Sequence, residues 1–154
     1  MPVRISVKTD YAIRAAAELA TMGNDGPVKA QRIAEAEDIP LKFLLNILAD
    51  LKRARVVQAS RGIHGGYQLA RPAAEITLAE VIRAVEGPLA NVHELRPEEV
   101  RYPESSQALR EVWIAVRGSL RAVLENVSLA DIASGRLPEA VTSLSGKPEA
   151  WTSR

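Results

Sequence analysis

The chain has 154 residues, 47% apolar and 25% charged, with 20 Lys+Arg against 19 Asp+Glu. This is one globular domain, or one with an appendage, rather than a disordered chain. The absence of cysteine excludes disulfides, thiolate zinc sites, cysteine nucleophiles and a cysteine-ligated iron–sulfur cluster, and two histidines exclude a histidine-rich metal site.

No apolar run approaches the ~20 residues of a membrane span. The segment Met1–Lys8 lacks the apolar core of a signal peptide, so a cytoplasmic location without membrane association is expected. Arginine outnumbers lysine fifteen to five, and alanine is abundant, a composition typical of GC-rich bacterial coding. The near-neutral charge hides an asymmetry: residues 1–71 carry 11 Lys/Arg and 7 Asp/Glu, whereas residues 72–154 carry 9 and 12. A basic N-terminal half points weakly to a polyanionic partner.

In chain order, residues 7–22 carry an apolar stripe of Tyr11, Ala15, Leu19 and Met22 at helical spacing. Gly23-Asn24-Asp25-Gly26-Pro27 ends that helix, since proline cannot continue one. A short helix is expected over 29–36 with Ile33 inward, then a turn at Glu37-Asp38-Ile39. Pro40 suits the start of the next helix, 40–54, whose face is read as Leu41, Leu44, Leu48 and Leu51. Val56–Arg61 and Tyr67–Ala70 read as two strands around a glycine-rich tip, Gly62-Ile63-His64-Gly65-Gly66. Such a hairpin is unstable alone and must pack on the helices before it.

Thr77-Leu78-Ala79-Glu80 is a capping box that opens a helix with Leu78, Val81, Ile82 and Val85 on one face, closed by Gly87-Pro88. Residues 87–104 are polar and irregular, with three prolines. The longest helix is expected over 106–126. Leu109, Trp113, Val116, Leu120, Val123 and Val127 alternate spacings of four and three, a heptad seam suited to a partner helix. A last short helix starts at Ser128, and the chain beyond Gly135 is expected to fray.

Two helices joined by a tight turn and followed by a basic glycine-rich hairpin make a winged helix. The second helix, 40–54, is then the element for the major groove, where each base pair presents a distinct hydrogen-bonding pattern. On it, Lys42 and Asn46 stand one turn apart; asparagine pairs bidentately with adenine, lysine donates to guanine or phosphate, and Phe43 can touch a thymine methyl. In the wing, Arg61 suits a narrow minor groove, and Gly62, Gly65 and Gly66, around His64, let backbone N–H groups approach phosphates. No nucleophile–base arrangement emerges around the two histidines; Ser60 and His64 are the one Ser/His pair close in sequence. The reading is therefore non-enzymatic.

The runs Lys8-Thr9-Asp10-Tyr11-Ala12, Ile39-Pro40-Leu41-Lys42-Phe43-Leu44, Arg61-Gly62-Ile63-His64-Gly65-Gly66-Tyr67 and Ile76–Gly87 resemble those of the Rrf (type two) family of bacterial winged-helix transcription regulators, the family of IscR, NsrR and CymR. The resemblance spans about residues 3–134. It implies a homodimer formed through long C-terminal helices, base reading by Pro40, Lys42, Phe43, Leu45 and Asn46, and minor-groove reading by Arg61. Cluster-binding members carry three cysteines in the segment corresponding to 87–104, where this chain has none, so it looks closer to the family's cluster-free branch.

The expected fold is mostly α: a winged helix-turn-helix with a two-stranded β wing over 1–86, a linker and sensing segment over 87–104, a dimerisation helix with a short last helix over 105–134, and a flexible tail over 135–154. The expected function is dimeric, sequence-specific binding of double-stranded DNA as a transcriptional repressor, under a small-molecule or protein effector and without an iron–sulfur cofactor. The alternative is a protein-interaction module on the same scaffold. His93 with Glu94, Glu98 and Glu99 is the one conceivable metal set, with a solvated acidic loop as the default.

Overall fold

The computed structural model describes residues 4–22 and 25–153; Met1–Val3, the expected turn residues Gly23 and Asn24, and Arg154 lie outside the described residues. Helix α1 spans Val7–Met22. Ser6 caps it, its hydroxyl accepting from the Thr9 N–H at 3.0 Å and so satisfying one of the free amides of the first turn. The Glu86 carboxylate also accepts from the Ser6 and Thr9 hydroxyls, placing an anion at the positive end of α1.

Helix α2 (Ala30–Glu37) ends at Asp38, which takes the left-handed conformation with its N–H donating to the Ala34 carbonyl. Arg14 of α1 clamps this end. Its Nε donates to Glu37 Oε2 at 3.1 Å, another of its nitrogens donates to the Glu37 carbonyl, and its guanidinium lies 5.4 Å from the Tyr11 ring centre. Helix α3 (Leu41–Arg53) buries Leu44, Ile47, Leu48 and Leu51 completely. Two details differ from expectation. Leu41 is 36% exposed, and Ile47 is in the core. Leu41 is the first helical residue, at the exposed entry to α3, so its place in the stripe does not bring it to the core. Pro40 precedes the helix as its N-cap.

Strands β1 (Val57–Ser60) and β2 (Gly66–Leu69) pair antiparallel with Val57 opposite Leu69 and Ser60 opposite Gly66. Val28 adds a one-residue bridge to Tyr67, with reciprocal bonds of 2.8 and 2.7 Å that stitch the wing to the segment before α2. Helix α4 (Leu78–Glu86) opens with the capping box, Thr77 Oγ1 accepting from the Glu80 N–H and Glu80 accepting from the Thr77 N–H.

Helix α5 runs Leu109–Leu124, shorter than expected at both ends, and is followed by α6 (Leu129–Ser134) under a second capping box of Ser128 and Asp131. The chain returns to the body here: the Leu78 N–H donates to the Val127 carbonyl and the Leu129 N–H to the Ile76 carbonyl, both at 2.9 Å. Leu129 is fully buried in the core with residues of α1, α3 and α4. Val127, expected on the seam of the long helix, is a correction: it lies beyond the end of α5 and is 2% exposed, inside this chain's own packing. The tail expected to fray carries α7 (Glu139–Ser145) and a 3-10 turn over Pro148–Trp151. Among the described residues, no helix is long and apolar enough to cross a membrane.

Candidate nucleic-acid interface

Helix α3 has two unlike faces. One is buried to the last atom; on the other, Lys42, Phe43, Leu45 and Asn46, with Pro40 before them, are exposed. Phe43 is 42% exposed and meets Tyr11 edge-on, with ring centres 5.7 Å apart, so its ring is oriented rather than free. Lys8 of α1 reaches across to Asp50 of α3 at 2.8 Å, and Arg53 binds the same carboxylate at 2.9 Å. The hydrogen bond from Lys8, seconded by Arg53, holds the Asp50 carboxyl below its ordinary range despite partial burial. The helix is thereby pinned to α1 by a polar tether as well as by its core face.

The wing loop is held from one side by Lys29, whose Nζ donates to the Gly62 carbonyl at 2.8 Å. Arg61, Gly62 and His64 are exposed. Among the described residues neither Arg61 nor Lys42 has a carboxylate within ion-pair distance, which leaves both charges available to a polyanion.

The glycines need a different account from the one the sequence suggests. Gly65 is buried, and its N–H donates to the Gly62 carbonyl at 3.0 Å. A Cβ there would collide with the Ser60 carbonyl. Gly66 sits at φ +149°, half-buried, where a Cβ would lie 2.5 Å from the Val28 carbonyl oxygen. Gly65 and Gly66 are glycine because the hairpin folds back on itself and docks against Val28. Of the three, Gly62 is exposed, at φ +96° with open space where a Cβ would stand.

Sequence reasoning missed Ile63, which stands 90% exposed between Gly62 and His64 at the wing tip. An isolated aliphatic residue in a glycine-rich, otherwise polar loop was the available signal. On the expected seam of α5, Leu109 and Val116 are exposed and Trp113, Leu120 and Val123 are half-buried, while Val112, not anticipated, is 49% exposed on the same side. Trp113 Nε1 donates to the Tyr102 hydroxyl at 2.8 Å, so this residue is partly engaged within the chain.

Comparisons with known proteins agree on one family. The sequence profile of Rrf2, described as an iron-dependent transcriptional regulator, matches residues 5–135. A Mycobacterium tuberculosis protein provisionally named as an HTH-type transcriptional regulator is 45% identical over 142 residues, 92% of this chain and 88% of the relative. The HTH-type transcriptional regulator CymR of Bacillus subtilis is 33% identical over 132 residues, 86% of this chain and 91% of its own. Among solved structures, B. subtilis CymR, called a global cysteine regulator, superposes with a TM-score of 0.74, covering 87% of this chain and 98% of its own at 33% identity. IscR of T. potens gives 0.70 at 28% identity, covering 100% and 95%.

The donor set does not fit a thiolate-ligated iron site. The sequence has no cysteine, and among the described residues no three His, Cys, Asp or Glu side chains converge. His93 and Glu94, in the segment that carries the cysteines in cluster-binding relatives by resemblance, occupy an exposed tight turn at φ 49° and 65°, closed by reciprocal 2.9 Å bonds between Val92 and Leu95.

Proposed function

The chain belongs to the Rrf2 family of transcriptional regulators, and from that premise we propose that it is a homodimeric, sequence-specific repressor that reads double-stranded DNA with α3 and the wing. The observation that carries this reading is the pairing of a completely buried core face on α3 with an exposed face bearing Lys42 and Asn46, beside a wing whose Arg61 has no carboxylate partner among the described residues. In this reading Pro40, Lys42, Phe43, Leu45 and Asn46 face base edges, while Arg61, Gly62 and His64 contact the minor groove and its phosphates on a wing loop that Gly65 and Gly66 let approach the backbone. The aliphatic tip Ile63 packs on sugar or base edges beside them. The two copies join through the seam of α5, which sets the half-site spacing at about one DNA turn, roughly 34–36 Å. The protein works in the cytoplasm without catalysis, and its signal is a small molecule or a protein rather than an iron–sulfur cluster.

The test is fluorescence anisotropy of the purified chain on the DNA upstream of its own gene, over a range of salt. Specific binding with log K falling steeply against log salt is expected. Arg61→Ala is expected to weaken it by about 1–3 kcal/mol without lowering the melting temperature. An unchanged affinity removes Arg61 from the interface. A flat titration even at low salt overturns the DNA reading in favour of a protein-interaction module.

A further inference from the structure

A cleft of about 520 Å³ lies between the end of α4, the start of the 87–104 segment and α5. That volume is within the ordinary range for a small-molecule site, about 300–1,000 Å³. Its walls bring together Arg83 of α4, Arg96 of the linking segment, and Arg117 and Arg121 of α5, with Asn91 beside them; Glu98 is the one acidic lining residue.

The internal pairing is incomplete. Arg117 binds Glu98 at 2.7 Å and Arg83 binds Glu125 at 2.5 Å, while Arg121 is 3.9 Å from that same Glu125. Among the described residues the Arg96 guanidinium has no carboxylate within 4.0 Å; Glu99 accepts from the Arg96 backbone N–H instead, at 3.1 Å. Four arginines thus line a concave site whose one lining carboxylate is Glu98, with Glu125 pairing from outside the lining, and the side chain of Arg117 is only 16% exposed. Four positive charges against two negative ones leave a net repulsion that a further anion in the cleft relieves. All four are arginine, whose planar fork matches carboxylate and phosphate oxygens two at a time.

We propose that this cleft is the effector site of the regulator and that it takes a small anion of two or more negative charges, a polycarboxylate or a phosphorylated metabolite. The regulatory role rests on the function proposed above; the binding chemistry stands on the cleft alone. The cleft spans the winged-helix body through Arg83 and the helix of the seam through Arg117 and Arg121, so a bound anion ties the two together. It then changes DNA affinity by as much as it prefers one arrangement of body and α5 over another.

The experiment is isothermal titration calorimetry of the full chain without DNA, at constant ionic strength made up with chloride, using citrate, pyrophosphate and, as a monoanionic control, acetate. Saturable binding of citrate or pyrophosphate at one site per chain is expected, with none for acetate; which of the two binds tells a carboxylate site from a phosphate site. Arg96→Ala and Arg121→Ala are each expected to weaken that binding at least tenfold while leaving the melting temperature of the free chain unchanged. Absence of saturable binding by both polyanions overturns the proposal, as does binding that survives both substitutions. Arginine variants that lose DNA affinity while the parent chain binds no small anion assign these residues to DNA phosphates instead and also overturn it. Anisotropy on the same samples separates the two readings. Anion binding without specific DNA binding removes the regulator and keeps the site, and DNA binding without anion binding does the reverse.

Discussion

Helices α3 and α5 are 13 and 16 residues long and both carry an apolar stripe, yet α3 buries Leu44, Ile47, Leu48 and Leu51 completely while none of the residues of α5 is buried. Helix α3 is enclosed by α1, α2, α4 and β1. Helix α5 is held to its own chain by polar contacts, Trp113 to Tyr102, Arg117 to Glu98 and, just past its end, Glu125 to Arg83, and by half-burial of Trp113, Leu120 and Val123. Exposed Leu109, Val112 and Val116 lie on one side of it. An apolar stripe at helical spacing therefore states that a face needs covering. Whether the cover comes from the same chain depends on where the connections before and after the helix lead it.

The contrast is most directly broken in the core. Leu48→Ala is expected to cost about 2–5 kcal/mol, because the cavity adds to the lost transfer energy at a fully enclosed site. Val116→Ala, measured by urea unfolding at concentrations where the chain is monomeric, is expected to cost well under about 1 kcal/mol, since the 39%-exposed residue leaves no cavity. Equal costs would show that α5 is packed within its own chain. At the seam itself, each apolar side chain newly covered is worth about 1.5–3 kcal/mol, so Leu120→Glu is expected to convert the sedimenting species from dimer to monomer. A variant that still sediments as a dimer and still binds DNA moves the interface off this face.

The wing and α5 also differ in what a methyl group does at a glycine. Gly66→Ala is expected to destabilise by about 1–3 kcal/mol and to displace the wing, because its Cβ meets the Val28 carbonyl backbone, which cannot swing aside like a side chain. Gly118→Ala in the middle of α5 meets nothing within 4 Å and is expected to stabilise by about 0.4–1 kcal/mol. At 100° per residue, Gly118 lies opposite Leu109 and Leu120, so dimer strength should not change. A weakened dimer in sedimentation would place the partner on the glycine side of α5.

Much of the molecule is legible one turn at a time. The capping boxes at Thr77 and Ser128, the bend at the end of α2 and the hairpin at 61–65 each follow from residues within about four positions of one another, the reach of a helical turn or a tight loop. The exposure of Lys42 and Asn46 follows from helical periodicity, and that of Arg61 from its place in the hairpin loop. What Gly66 is for was not legible, since the obstacle to a Cβ there is Val28, 38 positions earlier.

By itself, then, the sequence determined the order and type of the helices through α6, the two-stranded wing and the exclusion of a thiolate-bound cluster, because these depend on local spacing and on which atoms the chain contains. Tertiary structure alone decided that Ile47 enters the core and Leu41 does not, and that Val127 leaves the seam to bond beside Leu78. It also decided that Arg83, Arg96, Arg117 and Arg121 line one cleft. The physical reason is common to all three: periodicity reports which side of an element is apolar or charged, while the contact that side makes is set by chain reversals tens of residues away, whose geometry no local pattern records.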